Sequence, residues 1–130
     1  MVIDTSALAA ILFGEATAER LIASVDSDRR RLVSAATVVE LTLVVLGRVG
    51  EAGESQLDRL LAAIDAEIVP VDAEQATIAR DAALHYGRGR HRAGLNFGDC
   101  FSYALSVALG EPLLCVGDDF SQTDVAIAPW

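Results

Sequence analysis

Val2-Ile3-Asp4-Thr5-Ser6-Ala7-Leu8 is the stretch on which the fold turns. Val2-Ile3 is a short apolar run of strand character, and Asp4 ends it. Ser6 is a possible cap for a helix through about Leu12, so a strand passes into a helix across a single acid. The same arrangement recurs. Leu32-Val33-Ser34 leads into a long apolar helix from about Ala36 to Val49, and Asn96 can cap a helix running to Leu109. Leu113-Leu114-Cys115-Val116 then reads as a buried strand followed by Gly117-Asp118-Asp119.

The intervening chain completes the alternation. A second helix is expected from Ala16 to Val25, and Asp26 to Arg30 reads as a solvated loop. Gly50 to Gly53 is turn chemistry. Leu57, Leu60, Leu61 and Ile64 recur at i, i+3, i+4 and i+7, the mark of an amphipathic helix. Ile68-Val69-Pro70-Val71 is a short strand placed near a sheet edge by its proline. Ala73 to Tyr86 is a further helix, Gly87 to Gly94 an arginine-rich loop, and Val125-Ala126-Ile127 a last short strand. Strands alternating with helices imply βαβ units, a mostly parallel sheet and an α/β fold. There is no repeat, low-complexity segment or linker, so residues 1–130 are expected to form one domain.

Composition narrows the function. Of the 130 residues 52% are hydrophobic, and 19 acids against 10 bases give a net charge of −9. A protein that coats nucleic acid nonspecifically gains affinity by neutralising phosphates, so this balance argues against one. It leaves room for an enzyme that holds phosphate locally. No apolar run approaches the ~20 residues of a membrane span, and Met1-Val2-Ile3-Asp4 lacks a basic start and long apolar stretch, so cytoplasmic residence is the expectation. Cys100 and Cys115 sit among apolar neighbours and read as buried small hydrophobes.

Asp4 is the only charged side chain before Glu15, Glu40 the only one between Arg31 and Arg48, and Asp99 the only one between Arg92 and Glu111. Asp118 and Asp119 follow an apolar strand. Acids are seldom buried without a partner. All ten basic residues are arginines, and none lies inside these segments. A divalent cation is the natural partner, because hard cations take oxygen ligands. In open α/β sheets a ligand site lies at the carboxyl ends of the strands. Asp4 and Asp118/Asp119 stand there, with Glu40 and Asp99 expected in the first turns of their helices.

Each acid also has a structural use. Asp4 could cap the first helix, Glu40 could close a capping box with Thr37, and Asp99 could favour a helix N-terminus. Asp118-Asp119 could be a polar turn. Four isolated acids at one edge of one sheet are harder to explain as caps than as a cluster. The absence of lysine argues against receiver domains and haloacid-dehalogenase phosphatases, whose sites include one, and there is no P-loop. Metal-assisted phosphodiester hydrolysis needs only carboxylates.

The segments Val2–Leu8, Ser34–Glu40, Gly98-Asp99-Cys100 and Gly117–Asp124 together resemble PIN-domain ribonucleases, and more narrowly the VapC toxins of type II VapBC toxin–antitoxin systems. The resemblance implies a three-layer α/β/α sandwich with a mostly parallel sheet of about five strands. It implies an Mg²⁺- or Mn²⁺-dependent endoribonuclease with an RNA substrate, neutralised by a cognate VapB-type antitoxin. By motif, Asp4 and Asp99 would ligate metal, and Glu40 would act as a ligand or orient the attacking water. Ser6 would support Asp4 or the scissile phosphate. Many PIN domains carry the fourth acid where Gly117 stands; Asp119 matches another acid position of the family, with Asp118 beside it as support.

Arg88, Arg90, His91 and Arg92 concentrate positive charge just before the Asp99 helix. The arginines are candidate RNA-phosphate contacts, against an ordinary solvated loop. Tyr86, Phe97, Phe101 and Tyr103 could stack on bases or belong to the core or an interface. Surplus apolar surface on the Ala36 and Leu57 helices would suit a homodimer or an antitoxin groove. The alternative functions are a catalytically silent PIN-like domain binding RNA or protein, and a metal hydrolase acting on DNA or phosphate esters.

Overall fold

The computed structural model describes residues 1–130. Four strands, β1 (Val2–Ile3), β2 (Leu32–Ser34), β3 (Glu67–Val69) and β4 (Leu113–Leu114), form one sheet in the order β3-β2-β1-β4. Every pairing is parallel, with Val2 opposite both Leu32 and Leu113 and Val33 opposite Ile68. The expected fifth strand is reduced to a single parallel bridge between Ile127 and Leu113. Pro70 directly follows the edge strand β3, where a missing N–H costs no ladder bond.

Because side chains alternate across a strand, each apolar pair feeds both faces of the sheet. Ile3, Val33 and Leu114 join the core formed with helices α1 (Thr5–Leu12), α2 (Ala18–Ser27), α3 (Ala35–Val49) and α4 (Glu54–Ala63). Val2, Leu32 and Leu113 join the opposite core, formed with α5 (Ala73–Tyr86) and α6 (Phe97–Leu109). The result is a helix–sheet–helix sandwich whose strands are continuous hydrophobic runs, as parallel sheets covered on both faces require.

Four of the six helices start where a short polar side chain satisfies a free N–H group. Asp4 caps α1, Ser34 caps α3, Asp72 caps α5 and Asn96 caps α6. Two expectations change here. Asp4, not Ser6, begins α1. Ser34 begins α3, so Glu40 lies in its second turn and closes no capping box with Thr37. The Gly50–Gly53 turn is a single 3₁₀ turn, Glu51–Gly53.

The strand order places a switch point between β1 and β4. The chain leaves β1 toward β2 on one side and returns to β4 on the other, which opens a crevice at their carboxyl ends. Asp4 and the Val116–Asp119 turn lie there, joined by the Asp4 N–H donating to Leu114 O at 2.9 Å.

Candidate active site

Asp4 is only 2% exposed. Its Oδ2 accepts hydrogen bonds from Ser6 N (2.9 Å) and Ser6 Oγ (2.7 Å). Its Oδ1 is buried with no partner. Capping thus accounts for one oxygen and leaves the other bare, an expensive state for a buried carboxylate. Ser6 Oγ in turn accepts from Val116 N at 3.0 Å, tying Asp4 to the end of β4. Ser6 thus bridges Asp4 and the end of β4.

Asp99 is the third residue of α6 and forms a true capping box. Its N–H donates to Asn96 Oδ1 (3.0 Å) and its Oδ2 accepts from Asn96 N (2.7 Å). Burial raises its carboxyl to about 6, against the lowering effect of the Asn96 bond, and the negative charges of Asp4, Glu40 and Asp119 push the same way. Glu40 is half-buried. Burial raises its carboxyl too, opposed by a hydrogen bond from Thr5 Oγ1 to Oε2 and reinforced by the charge of Asp4. The thiol of Cys115, at the floor of the crevice, is pushed up to about 12 by burial and then by Asp4, Asp99 and Asp119. The charges of Asp4, Glu40 and Asp119, from three other segments, thus all reach the Asp99 carboxyl.

No arginine neutralises this cluster. The ion pairs of the molecule use Asp28, Glu111, Glu67 and Glu15. Asp118 and Asp119 are both exposed, but only the charge of Asp119 reaches Asp99 and Cys115. Gly117 has φ +97, a conformation that disfavours any side chain. That accounts for a glycine at this position. Asp124 is taken by Tyr103, whose hydroxyl donates to it at 2.6 Å.

In this arrangement no three of the His, Cys, Asp and Glu side chains stand together in metal-ligating geometry. Asp99 is turned onto Asn96 N and Glu40 onto Thr5. The donor chemistry nevertheless fits a hard cation: all-oxygen ligands, an unpartnered buried oxygen on Asp4, and mutually repelling acids without a counter-charge.

Several residues of the site carry no charge and went unread in the sequence. Thr5 holds Glu40. Thr37 Oγ1 and Ser102 Oγ are 3.2 Å apart in the buried space between α3 and α6. Each lies three positions from an acid on its own helix, a spacing that shares a face, so the pair fixes Glu40 relative to Asp99. Gly98 leaves room for Glu40: a Cβ there would fall on the Glu40 carboxylate. The signal was present as neutral hydroxyls inside otherwise apolar helices.

The sequence matches the PIN domain family over residues 1–126. The chain belongs to the PIN domain family. Among PIN-domain relatives, Ribonuclease VapC30 of Mycobacterium tuberculosis is 52% identical over 126 residues, spanning 97% of this chain and 96% of that one. The crystal structure of Mycobacterium tuberculosis VapC20, described as a Sarcin-Ricin loop cleaving toxin, superposes with TM-score 0.79 at 19% identity, covering 98% of each chain. The VapBC2 complex of Rickettsia felis, solved with a DNA fragment from its promoter, gives TM-score 0.74 at 15% identity, covering 99% of this chain and 97% of that one. These solved structures share the PIN fold described above.

The loop residues Arg88, Arg90 and Arg92 are exposed and form no ion pair. His91 is structural: its Nδ1 accepts from Ala93 N (3.1 Å) and its ring meets Tyr86 edge-on at 5.3 Å. The apolar surplus expected on the Leu57 helix is absent, since Leu57 and Ile64 are core and Leu60 and Leu61 pack against it. On α3 the surplus is real: Val39 and Leu43 are 62% and 64% exposed. No helix is long and apolar enough to cross a membrane.

Proposed function

We propose that residues 1–130 act as one PIN domain that hydrolyses RNA phosphodiester bonds with Mg²⁺ or Mn²⁺, as the toxin of a type II toxin–antitoxin pair in the cytoplasm. The observation that carries this reading is the bare Oδ1 of buried Asp4, among acids whose charges reach Asp99 and that have no counter-charge. The ribonuclease names of its relatives support it.

Asp4 Oδ1 and the Asp99 carboxylate would hold the cation, with Asp119 closing the open side of the crevice and Asp118 supporting that turn. When bound, the cation would activate water and stabilise charge developing on the phosphate. Ser6 keeps Asp4 Oδ2 occupied and leaves Oδ1 as the oxygen available to a cation. Glu40 is held through Oε2 by Thr5, and its Oε1 is free to orient the attacking water or accept its proton. A carboxyl raised by burial suits proton acceptance better than an ordinary one. Arg88, Arg90 and Arg92 would hold RNA phosphates beside the crevice.

The exposed stripe Val39, Leu43 and Leu46 on α3 begins next to Glu40 and repeats at i, i+4 and i+7. It would receive an apolar segment of a VapB-type antitoxin, consistent with VapBC complexes among the structural neighbours. A homodimer would bury further apolar surface. Light scattering of the free and antitoxin-bound protein tests this, and a monomer in both forms would count against the dimer.

The deciding experiment is cleavage of RNA, with DNA and small phosphate esters as competitors, by the purified protein in Mg²⁺, Mn²⁺ or EDTA. Asp4→Asn and Asp99→Asn nearly preserve shape and remove ligand charge. Both are expected to abolish cleavage while remaining folded. Cleavage equal to the parent by either variant would sink the carboxylate mechanism; RNA binding without cleavage would favour a silent PIN-like domain.

A further inference from the structure

Phe97 opens α6 and is 82% exposed, the most exposed of the large apolar side chains. It is not loose: Phe101, one turn on, meets it edge-to-face with ring centroids 4.9 Å apart. Beside it runs a groove of about 600 Å³ between α5 and the start of α6. Ala76, Ala79 and Ala83 keep the α5 wall shallow, and Leu95 and Cys100 form part of the opposite wall. Two arginines line it, Arg80 from α5 and Arg88 from the basic loop. Neither has an acidic partner, which is notable in a chain of net charge −9.

This combination is chemically specific. Single-stranded RNA is held by aromatic faces that stack on splayed bases and by arginines that take the adjoining phosphates. The groove volume lies in the range of small-ligand sites, enough for a base and its sugar. Its position relates it to the chemistry: Phe97 and Asp99 lie two positions apart in the first turn of α6 and point to different sides of it, so a strand crossing the start of α6 passes from the groove to the carboxylates.

We propose that this groove is a nucleobase subsite. A nucleotide of the bound strand, outside the carboxylate crevice, stacks its base on Phe97, and Arg80 and Arg88 hold its phosphate. The proposal deepens the ribonuclease reading and rests on it for the place of the scissile bond.

The test uses fluorescein-labelled RNA hexamers of A, C, G or U, bound to the full chain in EDTA and followed by anisotropy. Cleavage of a longer RNA in Mg²⁺ is measured in parallel. Phe97→Ala is expected to weaken hexamer binding about 10- to 100-fold, the usual loss of one aromatic stack. Phe97→Trp should restore it, and Phe97→Leu, apolar but unable to stack, should not. Arg88→Gln should weaken binding of all four hexamers and flatten its salt dependence. Equal binding by Phe97→Ala and the parent overturns the subsite, and if that variant also changes the mass seen by light scattering, the groove is a protein interface. Metal-dependent cleavage unaffected by Phe97→Ala leaves the ribonuclease standing and removes the subsite. Phe97-dependent binding without any cleavage does the reverse.

Discussion

Replacing Gly98 by alanine separates the placement of Glu40 from its charge. A Cβ at Gly98 would overlap Oε1, Cδ and Oε2 of Glu40, its three nearest neighbours. The obstructing group is the end of a flexible side chain, so the backbone can stay where it is. Ordinary contact needs about 3.5–4 Å between heavy atoms, so the carboxylate must retreat by on the order of 1.5 Å. That movement breaks its hydrogen bond from Thr5. The stability terms nearly cancel. Alanine gains about 0.5–1 kcal/mol over glycine in a helix, while loss of one hydrogen bond to a half-exposed carboxylate costs about 1 kcal/mol after screening. The melting temperature should stay within about 4 °C of the parent for a chain of this size.

Activity should not survive as well. A displacement of about 1 Å at a reacting group can cost on the order of 100-fold, so cleavage of RNA in saturating Mg²⁺ is expected to fall about 10- to 100-fold. Thr5→Val, which frees Glu40 without crowding it, should give a smaller loss. Glu40→Gln, which keeps shape and removes charge, should lose at least as much as Gly98→Ala. The assay is initial-rate cleavage beside thermal melting of the same samples. A Gly98→Ala enzyme with parental rates would refute the claim that Glu40 must sit where Thr5 holds it.

Asp4→Asn should leave the metal-free protein as stable as the parent, or stabilise it by about 1–2 kcal/mol, because it removes a buried charge with an unpartnered oxygen. The parent should gain melting temperature with Mg²⁺ and the variant should not; a variant destabilised in EDTA and still responsive to Mg²⁺ would contradict this. The Asp99 carboxyl, raised from 3.8 to about 6 by burial and like charge, makes the folded state bind the proton more tightly than the unfolded chain. Its contribution is therefore full below about 3.8 and lost as pH rises through about 6. In EDTA the protein should gain about 0.5–1 kcal/mol from this group between pH 7 and 5, reduced from about 1.3 kcal/mol over that window because Asp99 is partly exposed to solvent. Melting curves of Asp99→Asn should lack that gain, and parallel profiles would remove the coupling. Ser6→Ala deletes the donor to Asp4 and the acceptor of Val116 N, and should cost about 1–2 kcal/mol by denaturant melts together with most of the cleavage. Parental stability would mean that Ser6 does not join Asp4 to β4.

What the sequence made legible follows from what kind of signal each feature leaves. Asp4, Glu40 and Asp99 stood out because a charge inside an apolar segment has few reasons to exist, and the strand–helix alternation fixed their common edge. The register of that edge is less visible. The fifth strand thinned to one bridge at Ile127, because a three-residue apolar run does not say how many of its backbone groups find a ladder. A helix expected from about Ala36 puts Glu40 close to its first turn, yet Ser34 at the strand end caps α3 and leaves Glu40 in the second. The consequence is physical: one turn further on, Glu40 is out of reach of its own helix start and turns to Thr5 of another helix. Capping and catalysis therefore compete for the same acids in this chain. Asp4 does both by dividing its two oxygens, and Asp99 also gives one oxygen to its cap. Of Asp4, Glu40 and Asp99, only Glu40 is released from capping altogether, which makes it the one of the three whose position depends on tertiary contacts alone. It is also the one most open to displacement by a single methyl group at Gly98.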